Sequence, residues 1–147
     1  MIYLGADHAG FELKEEIKKF LLGLGLGVED KGAMELDLDD DYPDFVYPVA
    51  QAVAQDPGAS RGIVLGGSGQ GEAMVANRVK GVRSAVYYGG PLDIVKLSRQ
   101  HNDANVLSLG ARFLTKEQVI EAVKLWLDTP FEGGRHLRRI KKIEIDA

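Results

Sequence analysis

Gly62-Ile63-Val64-Leu65-Gly66-Gly67-Ser68-Gly69-Gln70-Gly71-Glu72 is the stretch on which the fold turns. Gly62–Gly66 carries no charge and no polar side chain, the mark of a short strand buried on both faces. The glycines that follow let the chain turn sharply, and a helix is expected through Glu72–Val79. A buried strand, a glycine-rich turn and a helix in that order form half of a βαβ unit, the building block of a parallel sheet.

The same alternation extends in both directions. Upstream, Ile2–Gly5 reads as a strand ending in Ala6-Asp7-His8. Leu13, Ile17, Phe20, Leu21 and Leu24 then recur at helical spacing among Glu12, Lys14, Glu15 and Lys18, the pattern of an amphipathic helix. The Gly23, Gly25 and Gly27 run follows that helix instead of opening one, so it reads as helix termination. Val28–Lys31 is a second strand, and Pro43-Asp44 starts a helix carrying Val46, Val49, Ala50 and Val53. Downstream, Ser84–Tyr88 is a fourth strand, Gly90-Pro91 opens a helix, and Val106–Leu109 is a fifth strand. Thr115 and Gln118 form a capping-box signature before Val119, Ala122, Val123, Trp126 and Leu127. Gly133-Gly134 then breaks the chain ahead of a basic helix. Five alternations predict an α/β fold, a five-stranded parallel sheet covered on both faces, within one domain over 1–147 and with 133–147 as a C-terminal helical arm.

Composition narrows the function. The 147 residues are 45% hydrophobic and 27% charged, values of an ordinary globular chain. Zero cysteines exclude disulfides, thiolate zinc sites and a cysteine nucleophile. Eighteen basic against 22 acidic residues give a net charge of −4, which argues against a nucleic-acid partner. No apolar run approaches the ~18 residues of a membrane helix, and MIYLGADHAG has no signal-peptide pattern. A cytoplasmic protein with no membrane partner is expected. Acids concentrate at 35–44, where an EF-hand pattern fails because Pro48 stands where the bidentate Glu belongs. That segment reads as a solvated loop.

In a parallel sheet, ligands bind beyond the carboxyl ends of the strands. Asp7-His8, the 66–72 loop, Tyr87-Tyr88-Gly89 and Gly110-Ala111-Arg112 are the residues expected there. The loop is not a Walker motif, a dinucleotide fingerprint or a nucleophile elbow, since position 70 is Gln. Its four glycines exceed what a tight turn needs and suit an oxyanion-binding nest. Glu72 beside it either complements the helix dipole or acts as a base next to oxyanion donors. His101, seven residues from Ile94, is expected on the apolar, inward face of its helix, as a core histidine or within a site formed by Arg99-Gln100-His101-Asn102-Asp103. Arg135 and Arg139, at i and i+4, share a face and can grip one small dianion. No two histidines have ligand spacing, so no metal and no cofactor are expected.

At these residues a resemblance is plain. GADHAGFELK (5–14), DYPDF (41–45), GGSGQGEAMVANR (66–78), LSRQHNDANVLSLGAR (97–112) and EGGRHLRRI (132–140) resemble ribose-5-phosphate isomerases of the B type, a family that also holds allose-6-phosphate and galactose-6-phosphate isomerases. The resemblance implies a Rossmann-like α/β/α sandwich, a metal-free sugar-phosphate isomerase, and a homodimer, or a tetramer built from it, with shared active sites. Many members carry a catalytic cysteine at the position of Gly66. A second branch uses a glutamate at the position of Glu72, and GGSGQGE is similar to that branch.

By that resemblance Asp7 and His8 are substrate contacts at the end of strand one. Gly67, Ser68, Gly69, Gln70 and Gly71 surround the reacting oxygens, with Ser68 relaying hydroxyl protons. His101 opens the furanose ring beside Asn102, Glu72 shuttles the proton between C1 and C2, and Arg112, Arg135 and Arg139 hold phosphate. A non-catalytic sugar-phosphate-binding module on the same fold is the alternative, along with a metal-dependent isomerase using Asp7, His8 and Glu72. Retention of both His101 and Glu72 favours an enzyme over a binder, because a binder needs no base.

Overall fold

The structure is a computed structural model that describes residues 1–144. Strands β1 (Ile2–Ala6), β2 (Val28–Asp30), β3 (Arg61–Gly66), β4 (Ser84–Tyr87) and β5 (Val106–Gly110) form one sheet. Its order is β2-β1-β3-β5-β4, and every neighbouring pair is parallel. Register aligns Ala6 with Leu65 and Gly66 with Gly110, so β1, β3 and β5 end side by side. The chain runs outward from β1 to β2 and then returns to place β3 on the other side of β1. That reversal opens a crevice between the ends of β1 and β3.

Helices α1 (Phe11–Gly23), α2 (Pro43–Gln55), α3 (Gln70–Ala76), α4 (Asp93–Gln100), α5 (Lys116–Asp128) and α6 (Arg135–Lys141) complete the fold. Ile17 and Leu21 of α1, Val95 of α4, and Val119, Val123 and Trp126 of α5 pack on Leu4, Ile63, Leu65, Leu107 and Leu109. The opposite face joins Val46, Val49 and Val53 of α2 and Ala76 of α3 to Val64 and Val106. Along β3, Ile63 and Leu65 serve one layer and Val64 the other, as the two-residue period of a strand requires. The expected α/β/α sandwich with a parallel five-stranded sheet is therefore the observed fold. No helix among the described residues is long and apolar enough to cross a membrane.

Some boundaries differ for local reasons. The helix expected from Gly90-Pro91 begins only at Asp93, because Gly89 and Gly90 both hold positive φ (124° and 90°) and delay it. The helix expected through Val79 ends at Ala76. The Asn77 side chain there donates to the Ser84 carbonyl and accepts from the Ser84 N–H, drawing the chain out of the helix. The capping box at α5 is present as expected, with Gln118 N–H donating to Thr115 Oγ1 and Thr115 N–H to Gln118 Oε1. Lys14 departs from the amphipathic pattern. It is fully buried and donates to Asp30 Oδ2 at 2.6 Å and to the Ala33 carbonyl at 2.7 Å. Lys18 adds a 2.8 Å bond to the same carboxylate, and together the two ammonium groups pin α1 to the end of the edge strand.

Candidate active site

The chain carries two clusters of chemistry-bearing side chains, at opposite ends of the sheet. The first occupies the crevice. Gly69 holds φ +80° at the start of α3, with its own position backed by the Leu109 and Gly110 backbone. Only glycine takes that left-handed turn without strain. Ser108 Oγ donates to the Gly69 carbonyl at 2.6 Å, so β5 fixes the loop from below. Tyr42 lies directly over Gly71.

Glu72, in the first turn of α3, turns back into this loop and is 4% exposed. Its carboxylate fills the space that a side chain at position 66 would need: a Cβ built on Gly66 would overlap it. One carboxylate oxygen, Oε2, is buried without a hydrogen-bond partner among the described residues. Burial pushes this carboxyl above the usual carboxylate range and the Asp7 charge adds to the effect, while the backbone N–H groups of Glu72 and Gly69 only partly oppose it. A desolvated, unpaired carboxylate with a raised pKa is the environment a general base near neutrality requires.

Asp7 and His8 follow β1 on the facing side. Asp7 is buried, and its Oδ1 accepts from the Ala9 N–H at 3.0 Å. His8 lies beside Asp40, which sequence reading leaves in a solvated loop. Asp40 Oδ1 takes the His8 backbone N–H at 3.0 Å and meets His8 Nδ1 at 2.7 Å. The pairing with Asp40 raises the His8 pKa, against burial and the nearby Arg112 charge. An imidazole held through Nδ1 presents Nε2 to the crevice in one tautomer or as a cation. The Arg112 guanidinium lies across Gly67, and the Arg112 backbone N–H donates to the Gly67 carbonyl at 3.1 Å. Asp7, His8, Gly67, Ser68, Gly69, Gln70, Gly71, Glu72 and Arg112 thus gather at one end of the sheet. Within it, Ser68 Oγ accepts weakly from the Gln70 N–H at 3.3 Å.

His101, Asn102, Arg135 and Arg139 lie elsewhere. Helix α4 runs back from the end of β4, so His101 at its C-cap stands near the start of β5. The five residues of β5 separate that position from Arg112, about 13 Å at the usual strand rise. His101 is not on an inward apolar face as expected. Ile94 and Leu97, which share its face of α4, are 45% and 42% exposed. The helix needs to bury only Val95, Ser98 and Arg99, and Arg99 is a structural clamp bonded to the Thr129 and Ala104 carbonyls and to Asp103.

What supports His101 is His136 of α6. Their rings stack at 4.2 Å between centroids with an interplanar angle of 12°, so the histidines pair despite lacking ligand spacing in sequence. The Glu132 N–H donates to the Gln100 carbonyl at 3.1 Å, tying the glycine break to the end of α4. Burial holds the His136 pKa below its ordinary value, and the positive field of His101, Arg135 and Arg139 adds to this. Arg135 and Arg139, both exposed, therefore flank the histidine stack as a cationic cluster.

Sequence reading missed Asp40, Tyr42, Glu132 and His136. One useful aspartate among the six acids of 35–44 carries no distinguishing signal. His136 sits 35 residues from its partner, and only the tertiary fold brings the two together.

The model of a family described as Ribose/Galactose Isomerase matches residues 2–143. Ribose-5-phosphate isomerase B of Mycobacterium leprae is 44% identical over 140 residues, covering 95% of this chain and 85% of that protein. The crystal structure of ribose-5-phosphate isomerase B from Mycoplasma genitalium with bound ribulose-5-phosphate superposes with a TM-score of 0.93 at 42% identity, covering 97% of this chain and 92% of that one. Ribose-5-phosphate isomerase B from Clostridium thermocellum gives a TM-score of 0.90 at 42% identity, covering 97% and 93%.

Proposed function

The chain belongs to the ribose/galactose isomerase family, and on that premise we propose that it interconverts ribose 5-phosphate and ribulose 5-phosphate through a cis-enediolate. The observation that carries this reading is Glu72: a buried carboxylate with one unpartnered oxygen, inside a glycine loop at the crevice of the sheet. A protein that merely binds sugar phosphate gains nothing from an unpaired buried carboxylate, which costs stability.

The active site is completed by a second copy of the chain. Glu72 and His101 sit at opposite ends of the sheet and cannot meet within one subunit. The face of α4 that leads to His101 leaves Ile94 and Leu97 uncovered. A two-fold dimer pairs unlike half-sites twice over, since a contact from one subunit to the other is returned. Arg135 and Arg139 of one subunit then face His8 and Arg112 of the other across a bound phosphate.

In that arrangement His101 protonates the ring oxygen while Asp7 accepts the anomeric hydroxyl proton, which opens the ring and exposes the carbonyl. Glu72 removes the proton from C2 of the aldose. The charge passes to the C1 oxygen, held by loop N–H groups, and Ser68 relays the proton between the two oxygens. Glu72 then returns its proton to C1, giving the ketose. The arginines bind remote from the reacting carbons, and that binding energy orients them.

Subunit mixing tests both the activity and the shared site. Glu72→Gln chains are co-folded with Arg135→Ala/Arg139→Ala chains, each inactive alone. Half of the random dimers are mixed, and each mixed dimer holds one intact site. Roughly a quarter of wild-type ribose 5-phosphate isomerase activity should return. No recovery, with mixed dimers verified by mass spectrometry, refutes the shared site.

A further inference from the structure

The histidine stack carries one more property. We propose that His101, Glu132 and His136 form a binding site for a divalent cation of the zinc class, and that occupation removes His101 from the isomerase reaction. The inhibitory half of this proposal rests on the ring-opening role given to His101 above.

Three observations carry it. His101, Glu132 and His136 each offer a ligand atom, and these atoms all lie within 4.8 Å of one another. Two imidazoles and a carboxylate form a donor set that zinc favours, and three protein ligands leave a fourth position for water. His136 Nε2 is buried without a hydrogen-bond partner among the described residues, on a residue only 6% exposed. It stands 3.6 Å from Glu132 Oε2, too far for a hydrogen bond. Tetrahedral zinc with bonds near 2.0–2.1 Å places its ligands about 3.3 Å apart. That pair is therefore close to the required spacing already.

The remaining adjustment falls on the two side chains free to make it. Glu132 is exposed and His101 is half-buried. Parallel stacked rings do not aim their lone pairs at one point, so His101 must rotate about its Cβ–Cγ bond, a soft torsion for an imidazole. That rotation breaks the stack and commits the ring nitrogen to the metal. The other cluster with metal-ligand spacing, Asp7, His8 and Asp40, differs in this respect. Its histidine nitrogen Nδ1 is already engaged by Asp40 and an Asp7 oxygen by the Ala9 N–H.

The test uses the whole protein, stripped with EDTA and titrated with Zn²⁺ at fixed pH by calorimetry and, in parallel, by ribose 5-phosphate turnover. The expected result is one Zn²⁺ per chain, with activity falling along the same saturation curve. Glu132→Gln and His136→Gln should each weaken binding by about tenfold or more, as loss of one of three ligands does. Metal-free Glu132→Gln should turn over like the wild type yet resist zinc. Absence of binding, or binding equal in the wild type and both variants, overturns the site. Binding that the variants abolish, with turnover unaffected by the metal, overturns the inhibition and the ring-opening role of His101. Failure of the isomerase reading shows itself separately, as metal-free wild-type protein that does not turn over ribose 5-phosphate.

Discussion

The two clusters, one at the strand ends and one at the end of α4, are built in opposite ways. The strand-end half is set by the sheet itself: β1, β3 and β5 end in register, and Ser108, Asp40 and Arg112 each lock a neighbouring segment. The helix-end half hangs from the end of α4 and from a short helix after two positive-φ glycines, and its arginines are exposed. Groups that move a proton between carbons need fixed geometry, whereas groups that grip a dianion tolerate mobility and gain from it during entry and release. Under the dimer proposed above, an isolated subunit would hold no complete site.

The sharpest way to break this contrast is Glu72→Gln. The amide keeps the shape and loses the base, so turnover should fall by roughly 10²–10⁴-fold while sugar phosphate still binds, as calorimetry would show. Near-normal turnover would remove the base from the rigid half. Next in size, Arg135→Ala and Arg139→Ala should each cost ~1.5–3 kcal/mol in kcat/KM for the phosphorylated sugar, expressed mostly in KM. Their effect on unphosphorylated ribose should be negligible. An equal proportional loss with ribose would show that the helix-end arginines do more than hold phosphate.

Asp40→Asn should act more gently. The His8 pKa, raised by Asp40, should drop toward its ordinary value by NMR titration, and KM should rise roughly two- to fivefold, the scale of a partly exposed ion pair. An unchanged His8 titration would sever the link between acidic loop and site. The smallest effect concerns stability. Glu72 is held above its ordinary pKa in the folded protein, so its protonated form stabilises the fold below the ordinary carboxylate range. That contribution is lost as pH rises through the raised value. Glu72→Gln should therefore be more stable than the wild type at neutral pH, by roughly 2–4 °C in Tm for each kcal/mol. Melting curves across pH 4–8 that run parallel for the two proteins would contradict the strain assigned to Glu72.

Much of this was legible in the chain. Gly62–Gly66, the periodicity of Ile17 and Leu21, and the Thr115 capping box declare their structures locally, because each depends on neighbours a few residues away. Asp7, His8, the loop and Arg112 could be grouped from the rule that ligands lie beyond strand ends. The pairs that join distant segments were not readable: Lys14 with Asp30, His8 with Asp40, His101 with His136. A buried lysine looks the same in sequence as a solvated one until the carboxylate it meets is known. His101 was misjudged for the converse reason. Its helix face is apolar, yet the described chain leaves that face open.

The overlap between Gly66 and Glu72 means that neither position can be changed without regard to the other. A cysteine at 66 would claim the volume of the carboxylate here. Gly66→Cys alone displaces the resident base, and Glu72→Ala alone deletes it. Each single step passes through a crippled enzyme, while Gly66→Cys/Glu72→Ala restores room for a different nucleophilic side chain. Under the proposed mechanism, a change of base at this place therefore takes two substitutions together, and neither order of single steps keeps a working enzyme.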